Sequence, residues 1–364
     1  MKLRAWAAAL VGALAAWGAP RLLHSQSVDD AGDASRDAAS PDAAVDAVET
    51  DAIADAEPPA PAPARRPYDH VVIVSFDGMR PDGMERADAP MLHRLRAEGT
   101  YALQAETVGD SSTLPSHSSM LSGVEVEVHG MEFDDFRPER GFIRFPTVLY
   151  RAHDLGLATA MFVAKTKLRH IAIPGSVDVW SLPHWSCERV ARAASAYLPT
   201  APAGITFIHF EEPDDAGHRH HWMSARYIDA IARTDRCLTT VMAAIEGRAD
   251  RDRVLVMISA DHGGHGRRHG THNPLDLHIP WIAWGSRVLR GDFDARVRTT
   301  DTGVTAMAAL GLDIPSDVTG HVVRRVFEGA AEATANDAGG GDAGGGDAGG
   351  GDAGAGDAGD AARD

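Results

Sequence analysis

Short apolar runs rich in β-branched residues alternate with longer segments of helical periodicity between residues 65 and 330. This alternation constrains the fold most, because two parallel strands need a crossover connection of roughly a dozen residues or more, usually a helix. The runs predict strands at 70–75, 205–210, 254–259 and 279–284, and a weaker one at 159–163. The predicted helices lie at 90–98, 116–122, 146–155, 186–197, 224–246 and 301–310. We therefore predict an α/β domain with a largely parallel central sheet.

Most of the charge lies outside this region. The formal net charge is -17 at pH 7. Residues 28–64 contribute -9, residues 331–364 contribute -7 and the first 27 residues contribute +3, which leaves -4 for residues 65–330. A nearly neutral central region has no basic footprint, so recognition of nucleic acid by a basic surface is not expected.

The two ends of the chain are expected to lie outside the folded domain. Residues 1–27 are typical of a secretory signal region, because a basic start at Met1–Arg4 precedes an apolar run at 5–19 that is too short to span a membrane comfortably. An uncleaved anchor helix is the alternative, and no membrane span is expected after the signal. The acidic Ala/Asp/Pro-rich segment 28–64 and the Gly/Asp/Ala-rich tail 331–364 are predicted to be disordered. The chain is thus expected to be exported to the periplasm, the cell envelope or the extracellular space.

The chain has two cysteines, Cys187 and Cys237. An oxidising compartment would permit one disulfide between them, and two separate buried thiols are equally compatible with the sequence. Neither cysteine has the spacing of a metal ligand.

Three of the predicted strands run directly into turns that carry acidic residues or histidine. These turn residues are Asp77 after the first strand, Asp214 and His218 after the second, and Asp261 and His262 after the third. In open α/β sheets the site lies beyond the carboxyl ends of the strands, so we expect the three turns to converge. Neighbouring carboxylates repel one another unless cations compensate them. Carboxylate and imidazole ligands suit Zn²⁺ and similar divalent ions, and two such ions about 4 Å apart form a clamp for phosphoryl transfer.

Thr113 is the best candidate nucleophile. It precedes Pro115, which can occupy the first turn of a helix. Its hydroxyl would then lie at the positive end of that helix, where free N–H groups can hold phosphate oxygens. Metal coordination would activate such a hydroxyl. Taken alone, the stretch is more typical of a threonine that caps a helix N-terminus.

Five motifs in chain order resemble those of the alkaline phosphatase superfamily, and most closely its type I phosphodiesterase/nucleotide pyrophosphatase branch. They are Phe76-Asp77-Gly78, Thr113-Leu-Pro-Ser-His117, Glu212-Pro-Asp214-x-x-Gly-His218, Asp261-His262-Gly263 and a later His-Gly pair. The resemblance spans about 68–328. It implies a three-layer α/β/α fold, a catalytic domain over 65–330, two zinc ions bridged by substrate phosphate, and a covalent phospho-threonine.

The resemblance also implies the role of each site residue. Thr113 would be the nucleophile and would lie at the first zinc ion, which Asp77, Asp261 and His262 would hold. Asp214, His218 and His269 would hold the second zinc ion. His269 is assigned because His269-Gly270 precedes the strand at 279–284 as the family's His-Gly pair does, with His265 and then His278 as alternatives. Ser116 stands where the branch commonly has an asparagine that contacts phosphate, which leaves the preferred ester open.

The implied reaction is hydrolysis of phosphodiester or nucleotide pyrophosphate bonds in a small phosphate-ester substrate. A phosphomonoesterase on the same scaffold is the main alternative. Lys165, Lys167 and Arg169 would favour the monoester. The apolar side chains Phe133, Phe136 and Trp222 would instead line a pocket for the second substituent of a diester. A non-catalytic binding module of the cell envelope is a further alternative. A sulfatase is not expected, because the chain has Thr-Leu-Pro-Ser-His where sulfatases carry Cys/Ser-x-Pro-x-Arg.

Overall fold

A computed structural model of the chain describes residues 66–183, 186–292 and 296–329. The signal region predicted at 1–27 and the linker predicted at 28–64 lie outside the described residues. The tail predicted at 331–364 also lies outside them, so these three assignments stay predictions.

Eight strands form one sheet in the described part of the chain. Their bounds are His70–Phe76 (β1), Thr100–Glu106 (β2), Ala158–Phe162 (β3), Val179–Ser181 (β4), Gly204–Phe210 (β5), Val254–Ser259 (β6), His278–Trp284 (β7) and Gly291–Asp292 (β8). The strand order is β4-β3-β5-β1-β6-β7-β2-β8. Neighbouring strands are parallel except at β7, which is antiparallel to both β6 and β2. The prediction of a largely parallel central sheet is confirmed.

The centre of the sheet is fully buried. β1 lies between β5 and β6, and every residue of these three strands is buried. A parallel sheet that is covered on both faces needs continuous apolar strands rather than alternating ones. This is why unbroken β-branched runs were enough to locate these strands in the sequence.

Helices cover the sheet in two packed groups. Their bounds are Pro81–Arg86 (α1), Pro90–Glu98 (α2), Thr113–Ser122 (α3), Val126–His129 (α4), Val148–Asp154 (α5), Cys187–Tyr197 (α6), Glu212–His220 (α7), Ala225–Glu246 (α8), Pro274–Leu277 (α9) and Thr299–Ala309 (α10). α8 packs against α1, α2, α6 and α7, whereas α10 packs against α3 and α5. Because the central strands are buried on both faces, these groups complete the three-layer α/β/α fold. Within the described residues, every helix is too short or too polar to cross a membrane.

The five predicted strands are confirmed, but β2, β4 and β8 were not predicted. β4 and β8 are the edges of the sheet and have only three and two residues, and β2 mixes buried with exposed positions. Such strands lack the apolar run that identifies a buried strand. The turn predicted around Asp214 and His218 was wrong, because residues Glu212–His220 form α7. Pro213 fits the first turn of that helix, and the acidic residues of the turn interact favourably with its positive end.

Cys187 and Cys237 form a disulfide. It joins the first residue of α6 to the middle of α8 across a sequence separation of 50 residues. Of the two possibilities that the sequence left open, the structure therefore has the cross-link, and α6 is tied to the helix on which it packs.

Candidate active site

The register of the central strands brings three acidic segments to one edge of the sheet. Phe76 at the end of β1 pairs with Phe210 of β5, and Ser75 pairs with Ser259 of β6. The chain leaves all three strands in the same direction, so their C-terminal segments emerge side by side. This is the crevice in which open α/β sheets bind ligands.

Asp77, directly after β1, is fully buried among hydrogen-bond donors. Its Oδ2 accepts from the Nε2 of His209, at 2.9 Å, and lies 2.6 Å from the Nζ of Lys165. The turn then passes through Gly78, which has a φ of +70°. A Cβ atom at this position would lie 2.9 Å from the Cα of Asp214, so only glycine fits. The β1 turn and α7 thus touch at this glycine.

α7 presents Asp214 and His218 one helical turn apart, on the same face. The Oδ1 of Asp214 lies 3.2 Å from the Nε2 of His218, and its Oδ2 accepts from the Nζ of Lys165 at 2.5 Å. Asp214 is buried, whereas the His218 side chain is 43% exposed. The helix therefore holds one ligand candidate deep in the site and one at its mouth.

The segment after β6 supplies the third side of the site. The Oδ1 of Asp261 accepts from the backbone N–H groups of Gly78 and His262, at 3.0 Å each, which fixes the carboxylate. Its Oδ2 lies 3.4 Å from the Nε2 of His262. The ring of His269 stacks on that of His262 at a centroid distance of 3.7 Å. The Asp261 carboxylate is thus anchored on one side and open toward the histidines on the other.

The three histidines share one hydrogen-bonding pattern. The Nδ1 atoms of His218, His262 and His269 lie 2.9, 2.8 and 3.0 Å from the carbonyl oxygens of Arg267, Gly263 and Ser111, in that order. A carbonyl only accepts, so each Nδ1 carries the hydrogen, and a ring in its neutral form turns an Nε2 lone pair into the site. The Nε2 atoms of His218 and His269 face each other at 3.1 Å. This is the tautomer and orientation of metal-ligating histidines.

Four buried polar atoms of the described residues meet here without a hydrogen-bond partner. They are Asp77 Oδ1, Asp214 Oδ1, Asp261 Oδ2 and His262 Nε2. Two sets of three residues bring their ligand atoms within 4.8 Å of one another, and these sets are Asp77, Asp214 and His262, and Asp214, His218 and His269. Buried polar atoms are normally satisfied, and oxygen and nitrogen atoms in this arrangement suit divalent ions such as Zn²⁺. The residues present therefore fit a metal centre.

Lys165 is the positive charge that touches two of these carboxylates. Burial alone would lower its pKa, but Asp214, Asp77 and Asp261 together hold the pKa well above its usual range. Burial and the neighbouring Asp77 charge raise the pKa of Asp261 well above its ordinary value. Burial would also raise the pKa of Asp77, but Lys165 and His209 outweigh it and lower that pKa. The carboxylates compete for limited positive charge, so a cation brought to the site will favour ionised Asp261.

Thr113 is the first residue of α3, and Ser112 is the N-cap. The interpretation of Thr113 as the capping residue is therefore wrong. Its side chain is buried, and its Oγ1 lies 3.5 Å from the Nζ of Lys165, the same ammonium that contacts Asp77 and Asp214. The structure thus places the predicted nucleophile at the carboxylate cluster.

The structure brings His269 to this cluster, whereas His265 and His278 lie elsewhere. The Nδ1 of His265 lies 2.6 Å from a carboxylate oxygen of Asp276, and the nearest ion-pair contact of His278 is with Glu106 at 3.8 Å. The choice of His269 over its alternatives agrees with this placement. Its role as a ligand stays a prediction.

Sequence reasoning missed His209 and Asp134, whereas it named Ser116 and Trp222 in other roles. His209 lies inside a strand predicted as core, and the only signal was one polar residue in an apolar run. Ser116 is buried, and its hydroxyl accepts from that of Thr107 at 3.1 Å. The side chain at the start of α3 beside Thr113 is Asp134, which accepts from the next backbone N–H. Trp222 is buried and donates to the Gly78 carbonyl, so it supports the β1 turn.

Solved structures share this fold at low sequence identity. One is a murine ectonucleotide pyrophosphatase/phosphodiesterase 5, an inactive variant in complex with AMP, with a TM-score of 0.58, 15% identity, and coverage of 68% of this chain and 97% of that one. Another is a 2-O glycosaminoglycan sulfatase, with a TM-score of 0.61, 14% identity, and coverage of 72% and 74%. These likenesses show the fold class of the chain, which phosphodiesterase and sulfatase structures share.

Sequence comparison narrows this class. A profile of the family described as type I phosphodiesterase / nucleotide pyrophosphatase matches residues 71–277. The chain belongs to the type I phosphodiesterase / nucleotide pyrophosphatase family, and the family resemblance predicted from the five motifs is confirmed. The human ectonucleotide pyrophosphatase/phosphodiesterase family member 5 is 23% identical over 211 residues, which cover 53% of this chain and 44% of that protein. The chain therefore matches less than half the length of that relative.

Proposed function

We propose that this chain is an exported two-zinc phosphoesterase that hydrolyses phosphodiester or nucleotide pyrophosphate bonds. The observation that carries the proposal is the meeting of Thr113 with two sets of metal-ligand candidates that share Asp214. A hydroxyl at a helix N-terminus beside such a cluster has the composition needed for phosphoryl transfer. Family membership supports the same reaction class.

Each residue has a defined part in the proposed reaction. Asp77, Asp261 and His262 would hold one ion and Asp214, His218 and His269 the other. Bound zinc supplies Lewis acidity and lowers the pKa of a coordinated hydroxyl. The Thr113 oxygen forms a bond to phosphorus while the bond to the leaving oxygen breaks, and water then cleaves the phospho-threonine to restore the hydroxyl. The Lys165 ammonium orients the Thr113 side chain and compensates charge on the substrate phosphate.

Export is supported by a structural feature of the domain. The disulfide between Cys187 and Cys237 is of the kind that persists in oxidising compartments. One similar protein is named a venom phosphodiesterase, from Naja atra, with 20% identity over 53% of this chain and 26% of that protein. Thiol counting on protein purified from an exported fraction, with and without reductant, tests whether Cys187 and Cys237 are oxidised there. Two free thiols in the unreduced protein would remove this support for export.

A phosphomonoesterase is the second candidate, and Lys165 is the observation that favours it. Its Nζ lies 3.5 Å from the Thr113 hydroxyl, where a second positive group would stabilise a dianionic phosphate. The ratio of kcat/KM for bis-p-nitrophenyl phosphate to that for p-nitrophenyl phosphate separates the two candidates. A tenfold preference for the diester, worth about 1.4 kcal/mol of transition-state discrimination, is the expected result.

The same assay tests the nucleophile. Thr113→Ala should reduce turnover of both esters by at least about a thousandfold, because no other hydroxyl is proposed to attack phosphorus. Its circular dichroism and zinc content should stay close to those of the wild type. Thr113→Ser, which keeps a hydroxyl at the same position, serves as the matched control and should retain measurable turnover. Undiminished activity of Thr113→Ala would refute the nucleophile, and hydrolysis of neither ester by the zinc-loaded wild type would favour a non-catalytic module.

A further inference from the structure

Asp134 places a carboxylate at the N-terminal end of α3, next to the proposed nucleophile. Its Oδ1 accepts a hydrogen bond of 2.8 Å from the backbone N–H of Leu114, the residue that follows Thr113. Pro115 has no N–H, and the N–H of Ser116 is already used within the helix turn. The Leu114 N–H is therefore one of the few donors that this helix end offers to an anion.

A phosphate that reacts at Thr113 must come close to this donor. Helix N–H groups bind phosphoryl oxygens, so an oxygen of the substrate and the Oδ1 of Asp134 compete for the Leu114 N–H. An ionised carboxylate only accepts hydrogen bonds and repels other anions. The substrate thus meets both a competitor and a like charge at the point of attack.

Lys167 holds this carboxylate in place. Its Nζ donates to the other oxygen of Asp134 at 2.8 Å, and the two side chains are 21% and 35% exposed. Lys165, two residues earlier, is instead engaged with Asp77 and Asp214. The two lysines therefore have different partners, and the charge of Lys167, at the helix end, is largely neutralised by Asp134.

We propose that Asp134 is a specificity-determining residue whose negative charge selects against dianionic phosphomonoesters and in favour of monoanionic diesters. This inference rests on the proposed function. A monoester at pH 8 is largely dianionic, because its second pKa is about 6, whereas a diester carries one negative charge. Repulsion from a fixed carboxylate grows with the charge of the substrate, so the monoester is disfavoured more strongly.

The substitution Asp134→Asn tests the role of the negative charge, because it changes the shape of the side chain very little. Asparagine keeps an oxygen that can accept from Leu114 and removes the negative charge. The kcat/KM ratio of p-nitrophenyl phosphate to bis-p-nitrophenyl phosphate at pH 8 should rise about tenfold. Asp135→Asn is the matched control, because it makes the same change one residue along, at a side chain that is 75% exposed, and should leave the ratio within about twofold. Lys167→Gln should move the ratio in the opposite direction, because it leaves the Asp134 charge uncompensated.

A second readout separates this inference from the proposed function. The dissociation constant of inorganic phosphate, measured by titration calorimetry on zinc-loaded protein, should fall about tenfold in Asp134→Asn and stay unchanged in Asp135→Asn. If the wild type hydrolyses neither ester, the proposed function fails, while phosphate affinity still tests Asp134. Equal ester ratios and equal phosphate affinities in wild type and Asp134→Asn would overturn the specificity role.

Discussion

At the scale of single residues, Asp214 is the central candidate metal ligand. It belongs to both candidate ligand sets, and its two oxygens face different partners, Lys165 on one side and the pair of His218 and His269 on the other. No other side chain of the described residues belongs to both of these sets. A change at this position should therefore affect metal binding more than a change at any one histidine.

Asp214→Ala should lower zinc content by about one ion per chain under loading conditions that saturate the wild type, because the ion proposed to be held by Asp214, His218 and His269 loses its only carboxylate ligand. Inductively coupled plasma mass spectrometry of the dialysed protein measures this directly. Asp215→Ala is the control, since Asp215 is adjacent in the chain but half-buried and paired with Arg219. Retention of both ions by Asp214→Ala would show that the ligand assignment is wrong.

At the scale of elements, the position of α7 against the sheet depends on small contacts and on α8. A Cβ atom at Gly217 would lie 2.6 Å from the Trp222 ring, so the helix can approach that ring only with glycine there. α7 also packs on α8, which the disulfide joins to α6. The helix that carries Asp214 is therefore supported by a cross-linked pair.

Removal of this cross-link should destabilise the domain without removing any proposed site residue. In the chain-entropy treatment, a closed loop of about 50 residues contributes about 4 kcal/mol to the free energy of unfolding. The variant Cys187→Ala/Cys237→Ala should lose about 2–4 kcal/mol in urea titrations, and reductant should lower the stability of the wild type but not of the variant. Equal unfolding midpoints for wild type and variant would contradict this expectation.

At the scale of the whole molecule, a buried histidine far along the sheet from the site links folding to pH. His70 begins β1, and its ring bonds to the Thr206 hydroxyl at 3.0 Å and to the Pro202 carbonyl at 3.1 Å. Burial lowers its pKa from 6.5 to about 4. Below pH 6.5 the His70 ring binds a proton in the unfolded chain but stays neutral in the folded chain. The free energy of unfolding therefore decreases as the pH falls toward 4.

Between pH 7 and pH 5 this residue should remove about 2 kcal/mol from the free energy of unfolding. Urea titrations of chelator-treated protein at the two pH values give the loss for wild type and for His70→Gln, and the variant should lose about 2 kcal/mol less. A constant destabilisation by the substitution cancels in this difference. His321→Gln, at an exposed side chain, controls for the removal of a histidine. Identical losses in wild type and His70→Gln would contradict the assignment.

The sequence by itself determined the central strands, the family and most of the proposed ligands. Strands that are buried on both faces must be continuous apolar runs, so their composition identifies them, and the residues that follow β1, β5 and β6 are adjacent to them in the chain. Asp77, Asp214 and Asp261 could therefore be assigned to one edge of a sheet before the strand order was known. Such inferences depend only on local pattern and on the direction of the strands.

The tertiary structure decided which distant side chains join that edge. Lys165 and Asp134 lie on segments between regular elements, and nothing in the local sequence separates Lys165 from Lys167. Only the packing of those segments brings Lys165 within 2.6 Å of Asp77 and Asp134 within 2.8 Å of the Leu114 N–H. The physical reason is that strands and helices follow from short-range periodicity, whereas loop positions follow from the free energy of packing and charge summed over the whole fold.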